Sequence, residues 1–205
     1  VGRRSDIDGR ELLVAAALRL FATHGVDAVS IRAVNREAGL GPASVHYHFG
    51  TKEALVEAVL ARHGGVVAAE LKAQAERLVS STGVTDARDL VEMLAQPYLD
   101  LVAAHSETGP QWVRLVSRLV EDDPGRILDG PSARSTRDAA ARVFPDATPA
   151  EVDRALRMCV TMLLNQLARA GTGSDRAAAD AELLFEFLSA GLEAVLRPGL
   201  ATESA

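Results

Sequence analysis

One cysteine occurs in 205 residues, Cys159, so no internal disulfide can form and the fold must hold by packing. With Met158, Val160 and Met162 around it, that thiol reads as a small buried hydrophobe, in a chain suited to a reducing cytoplasm. Aromatic residues make up only 4%, and alternating runs of β-branched residues are missing, which argues against a sheet protein. The longest uninterrupted apolar run, Leu12 to Leu18, is far shorter than the roughly 20 residues that cross a bilayer. Nothing ahead of the first helix reads as a signal peptide, so no membrane partner is expected. Catalytic signatures are absent as well: there is no Gly-x-Ser-x-Gly elbow, phosphate-binding loop, His-Glu-x-x-His or Cys-x-x-Cys. His46 and His48 are two apart, on different sides of a helix, and do not make a metal pair. The reading is therefore of a protein that is not an enzyme and needs no metal or cofactor.

What is present is apolar and helical. Hydrophobic residues reach 48%, with Ala and Leu dominant, which favours an all-α fold with a sizeable core. The net charge of −6 is unevenly spread. Residues 1–50 hold six arginines and five acids, whereas residues 51–205 hold 16 basic and 23 acidic residues.

Residues 30–52 organise the rest. Ser30 has the hydroxyl of a helix N-cap, and Ile31, Val34 and Ala38 follow at helical spacing. Gly39 marks the helix end, Leu40 plugs the turn, and Gly41-Pro42 restarts the chain with Pro42 near a first helical position. Val45 and Phe49 point inward, leaving Ser44, His46, Tyr47 and His48 on or near the outer side. Two short helices joined by a glycine turn make a helix-turn-helix, whose second helix can enter the major groove of DNA. Its outer face has no acid between Gly39 and Lys52, unlike an ordinary solvated helix. An acidic body on a nearly neutral reader implies modest non-specific affinity, so binding must rest on a few placed contacts and on dimerisation.

Residues 10–60 resemble the DNA-binding domain of the tetracycline-repressor (TetR-like) family of bacterial regulators. The resemblance is carried by Leu12-Leu13 through Leu20-Phe21-Ala22, Gly25, Ser30-Ile31-Arg32, Glu37-Ala38-Gly39, and above all Val45-His46-Tyr47-His48-Phe49-Gly50-Thr51-Lys52-Glu53-Ala54-Leu55. It implies phosphate contacts from Ser30, Tyr47, His48 and Lys52. Arg32, Gly41, Pro42, Ala43, Ser44 and His46 are then the candidates near base edges, Arg32 being able to pair with a guanine through two bonds. Three residues depart from the family pattern. Gly41 stands where a Ser or Thr often caps the recognition helix, Asn35 where Ala is usual, and His46 where Tyr is frequent. Asn35 is open between a surface residue and an extra phosphate contact. Arg3 and Arg4, in an expected loose arm over residues 1–7, are open between tracking DNA and simply solubilising the terminus.

About nine helices are expected, with residues 1–50 as the DNA-binding domain and residues 51–205 as a ligand-binding and dimerisation domain. Asp8 to His24 is the first helix, with Asp8 and Glu11 at capping-box spacing. Thr51 to about Ser80 connects reader to body, and Gly64-Gly65 inside it reads either as a soft point or as close packing against a neighbour. Further helices follow after Thr85 or Asp86 (with a kink expected at Pro97), from Gly109-Pro110, within 126–144, from Thr148-Pro149-Ala150-Glu151 to about Ala170, and from Asp175 to Leu196.

The last two helices carry more apolar surface than one chain needs. Similar proteins dimerise through this pair, which implies an interface built from Leu156, Val160, Leu163, Leu167, Leu184, Phe187, Leu188 and Leu192. Met93, Tyr98, His105, Trp112, Phe144, Met158, Met162, Asn165 and Gln166 are candidates to surround a pocket for an apolar or amphipathic effector. Arg114 and Arg118, four apart, suit a carboxylate or a solvated face. The expected function is a transcriptional regulator, a repressor that binds a palindromic double-stranded DNA operator as a homodimer and is released by a small molecule. The competing reading is a helical small-molecule carrier or sensor with little DNA binding.

Overall fold

The computed structural model describes residues 2–105, 107–123, 125, 129–169 and 175–197. All regular structure among them is helical: α1 (Gly2–His24), α2 (Ile31–Glu37), α3 (Ser44–Phe49), α4 (Lys52–Ser80), α5 (Ala87–Ala104), α6 (Thr108–Asp122), α7 (Ala133–Val143), α8 (Pro149–Arg169) and α9 (Asp175–Leu196). The Gly171–Ser174 loop and the tail from Pro198 lie outside the described residues, as does Ala170.

Local chemistry sets most helix ends. Ser30 accepts a bond from the Ala33 amide at 3.2 Å, and Thr51 accepts one from Ala54 at 3.1 Å. Asp86 and Asp89 form a reciprocal capping box on α5, so Asp86 rather than Thr85 is the cap. Thr148 and Glu151 do the same for α8, and those bonds hold the Glu151 carboxyl below its ordinary pKa. Gly25 and Gly39 end α1 and α2 at φ +81° and +68°, where a side chain would be strained.

Two helix starts differ from the sequence expectation. α1 runs unbroken from Gly2, so residues 2–7 are helical rather than a loose arm and Asp8 lies inside the helix instead of capping it. No proline interrupts that stretch, and one internal glycine, Gly9, is too weak a breaker to end it. The Arg3 and Arg4 side chains lie outside the described residues. α3 begins at Ser44, leaving Pro42 in the preceding turn rather than at a first helical position.

The α5–α6 corner depends on Gly109. A Cβ there would stand 2.6 Å from the Leu101 carbonyl oxygen and 3.0 Å from the Val102 Cα. The two helices therefore turn within backbone contact distance, and no larger residue fits without moving the chain. This brings α6 back across the molecule to pack on α1 at one end and on α8 along its length.

The core is one continuous apolar cluster. Leu13, Ala16, Ala17 and Phe21 of α1 meet Val34, Val45, Leu55 and Val59 at the N-terminal end. Leu90, Leu94, Val113, Val116, Leu163 and Leu164 fill the body. Cys159 is buried within it, which pushes its thiol pKa up to about 12 and leaves it inert as a nucleophile. No described helix is long and apolar enough to cross a membrane.

Candidate nucleic-acid interface and a cavity in the body

The helix-turn-helix is braced from behind by α1. Val45 is fully buried, and Phe49 packs against the core with the Arg10 guanidinium 5.0 Å from its ring centre. Arg19 pairs with Glu37 at 3.1 Å, tying α1 to α2. Gly9 lets α1 approach α3 closely, since a Cβ there would stand 3.0 Å from His48 Nε2. The outer surface stays open. Tyr47 is 74% exposed, and Arg32, Gly41, Pro42, Ala43 and His46 are exposed. Ser44, His48 and Lys52 are half-buried, and the Lys52 ammonium reaches the Asp27 carbonyl at 3.5 Å. The ten residues assigned to DNA, between the α2 N-cap and the start of α4, are all exposed or half-buried.

Asn35 is neither a surface residue nor a phosphate contact. It is 2% exposed. Its Nδ2 donates to the Pro42 carbonyl at 2.7 Å, and its Oδ1 accepts from the Val45 amide at 3.0 Å. The residue ahead of α3, Ala43, makes no side-chain cap, as the Gly41 departure implied. The cap comes from α2 instead, across the turn, and satisfies one of the free amides of α3. This one amide side chain fixes both the start of the recognition helix and its placement against α2. Asn35 and Gly41 each stand out in the sequence as departures, with nothing there to link them.

In the body, a cavity of about 390 Å³ opens between α4, α5, α6, α7 and α8. Leu60, Gly64, Gly65 and Leu71 of α4 form one wall, Leu94 and Tyr98 of α5 and Trp112 of α6 another, and Leu156 and Val160 of α8 a third. Of the residues expected around a pocket, the cavity brings together Tyr98 and Trp112. Met93 lines a shallow surface groove elsewhere. His105 faces His63, with ring centres 5.0 Å apart. Phe144 is core, stacked under Arg197. Asn165 accepts from the Ser117 hydroxyl at 3.1 Å, beside a separate polar cleft. Met158, Met162 and Gln166 face outward. Helical periodicity locates an inward face but not which part of the interior is empty, and Leu60, Leu94 and Leu156 looked like any core leucine.

Gly64 and Gly65 lie within an unbroken α4 and both line this cavity. The Trp112 indole donates to the Leu60 carbonyl at 3.1 Å, and a Cβ on Gly64 would meet that ring at 3.5 Å, an ordinary contact. A Cβ on Gly65 would meet nothing within 4 Å. Replacing both with Ala should therefore stabilise the protein by about 1 kcal/mol at each position. That corresponds to a melting midpoint raised by roughly 2–4 °C per kcal/mol, measured by thermal denaturation; a fall would show that the close packing is tighter than these distances allow.

α6 also reaches the reader. Arg118 donates to the Thr23 carbonyl at the α1 C-terminus at 3.2 Å, and both Arg114 and Arg118 line the polar cleft between α1 and α8. One helix thus touches the cavity through Trp112 and the end of α1 through Arg118.

Most residues assigned to a dimer interface are buried within the single chain: Leu156, Val160, Leu163, Leu188 and Leu192. Leu167 and Leu184 are half-buried, and Phe187 alone of the eight is well exposed. The apolar side chains left open on α8 and α9 are Met158, Met162, Leu183, Phe187 and Val195. They recur at helical spacing, as one stripe on each helix. A helix apolar nearly all round gives no sequence signal for which of its faces its own chain takes.

Residues 13–59 match the family described as "Bacterial regulatory proteins, tetR family". The chain is 31% identical over 115 residues to a nicotine-responsive transcriptional repressor of Paenarthrobacter nicotinovorans, covering 56% of this chain and 50% of that protein. It is 43% identical over 51 residues to a helix-turn-helix transcriptional regulator of Rhizobium meliloti, covering 25% of each. The matched segments thus span half or less of these curated relatives. A ketosteroid transcriptional regulator of Mycobacterium tuberculosis shares the fold with a TM-score of 0.56 at 19% identity, covering 93% of this chain and 95% of that one.

Proposed function

We propose, from the premise that this chain belongs to the tetR family of bacterial regulatory proteins, that it is a cytoplasmic repressor which holds a palindromic operator as a homodimer and lets go when a small molecule fills the body cavity. The observation that carries the reading is the open face of α3, held by buried Val45 and Asn35, inside the segment that matches the family. Residues 1–50 act as the reader, residues 51–205 as the ligand-binding and dimerisation body, and the helix over 51–80 as the connector.

Tyr47, His48, Lys52 and Ser30 position the reader on phosphates, while Arg32 and the Pro42–His46 side face base edges. The exposed stripe of α8 and α9 pairs with its copy across a twofold axis, and two readers then stand one helical turn apart, about 34–36 Å, or a multiple of it. A ligand against Trp112 displaces α6 and α4 together, and α6 passes the shift to α1 through Arg118. A coupling of about 1–3 kcal/mol lowers operator affinity roughly 5–150-fold.

The direct test is a gel shift with the DNA upstream of the chain's own coding region. A saturable shifted band on that DNA supports the repressor reading, and none at micromolar protein favours a carrier. Arg32→Ala should cost about 1–3 kcal/mol on the operator and little on random duplex. Equal loss on both would reduce Arg32 to a phosphate contact.

A further inference from the structure

The cavity wall is sorted by polarity. Its charged residues, Glu57, Arg137, Asp153 and Arg157, are exposed or half-buried and form the rim. They are already engaged with other groups. Arg137 is bonded to Asp153 and Asp129, and Arg157 lies 3.7 Å from Asp129; Glu57 also has a partner. A charged ligand would have to break these pairs or enter without a counter-ion, and an unpaired buried charge is strongly disfavoured. The interior beyond the rim is Leu60, Leu71, Leu94, Trp112, Leu156 and Val160.

Ser132 and Thr136 add two half-buried hydroxyls at the α7 side, and one polar group lies deeper. Tyr98 is 5% exposed, and its hydroxyl makes no hydrogen bond among the described residues. Among the described residues no fully enclosed side-chain nitrogen or oxygen lacks a partner, so this hydroxyl must open onto space, and the cavity is the space it lines. Burial raises its pKa to about 12, so it remains a hydrogen-bond donor at any physiological pH. Buried polar groups are rarely left unsatisfied. The indole N–H of Trp112 is already spent on the Leu60 carbonyl, leaving its ring face for contact. The volume, about 390 Å³, is near the lower end of the roughly 300–1,000 Å³ of small-molecule sites.

We propose that the cavity takes an uncharged molecule of one or two rings, which lies against Trp112 beside the space Gly65 leaves open and accepts one hydrogen bond from the Tyr98 hydroxyl. This deepens the effector reading above and rests on it only for the consequence at the operator, not for binding. Specificity then has two parts: shape against the indole, and a single acceptor matched to one donor.

The test uses the full chain and three matched bicyclic probes: 1-tetralone, which carries a carbonyl; tetralin, which lacks it; and a tetralin carboxylate, which is anionic. Trp112 is the only tryptophan, so its emission reports occupancy without a label, and thermal shift gives a second readout. Tetralone should bind about tenfold more tightly than tetralin, the worth of one buried hydrogen bond, and the carboxylate should not bind. Tyr98→Phe should erase the tetralone advantage and leave tetralin unchanged. Gly65→Leu should block both neutral probes without lowering the melting midpoint, because its Cβ enters open space and Leu favours the helix over Gly. The carboxylate binding most tightly, an unchanged ratio in Tyr98→Phe, or no response to any probe would each overturn the proposal. Should Tyr98→Phe fail to fold, the probe ratio in the unaltered protein still decides. Operator release is scored separately by gel shift. Binding without release would contradict the effector reading and leave the ligand class standing.

Discussion

Asn35→Ala should weaken operator binding about a hundredfold without unfolding the protein. The substitution deletes both side-chain bonds of Asn35, one to the Pro42 carbonyl in the turn and one from the Val45 amide of the recognition helix. Val45 is fully buried, so its amide has no ready access to water. Leaving such a group unsatisfied costs about 1–3 kcal/mol, and a loss near 2.7 kcal/mol is a factor of about one hundred. The helix lacks a local cap to fall back on, because Ala43 supplies none. Asn35→Asp is the sharper variant. It keeps an acceptor for Val45 but turns an anionic oxygen toward the Pro42 carbonyl, so it too should lose affinity. Fluorescence anisotropy on the operator, run beside far-ultraviolet circular dichroism, separates misplacement from unfolding. Affinity within threefold of the unaltered protein, at native helix content, would mean that α3 is placed by Val45 and Phe49 alone.

Phe187→Glu should divide the dimer and reduce operator affinity by more than a hundredfold. Phe187 is 61% exposed in the single chain and lies in the α9 stripe with Leu183 and Val195, while Met158, itself 68% exposed, and Met162 are left open on α8. In a twofold interface each substitution occurs twice, so two carboxylates would be buried without partners, at an effective penalty of several kcal/mol each. The single-chain core should be untouched, since the buried Leu188 and Leu192 hold α9 in place. Sedimentation at micromolar concentration should show a monomer with a native melting curve. A persistent dimer would move the interface away from α8 and α9.

The reader was legible because its information is local. Ser30, Gly39 and Thr51 act through bonds or dihedrals within four residues, and each stands where its chemistry demands. The cap on α3 was half legible: Gly41 signalled a missing group, but Asn35 supplies it from ten residues before Val45, a distance that pattern reading does not span. The body was legible only as helices. Tyr98 and Trp112 stood out because a phenol or an indole must find a polar partner when buried. The leucines of the cavity wall did not, since an apolar residue next to a void has the same periodicity as one next to a neighbour. Which side of the last two helices the chain leaves open was not legible for a related reason. α8 and α9 are apolar on both sides, and only the packed chain shows that Leu163 and Leu188 turn inward while Met162 and Phe187 do not.

Selection of bound sequences from random double-stranded DNA, followed by the mass of the recovered complex, tests the central claim most directly. The account predicts a recovered motif with twofold symmetry, half-sites separated by one helical turn or a multiple of it, and two protein copies per duplex. Recovery of no enriched sequence, or of an asymmetric site holding a single copy, would contradict it.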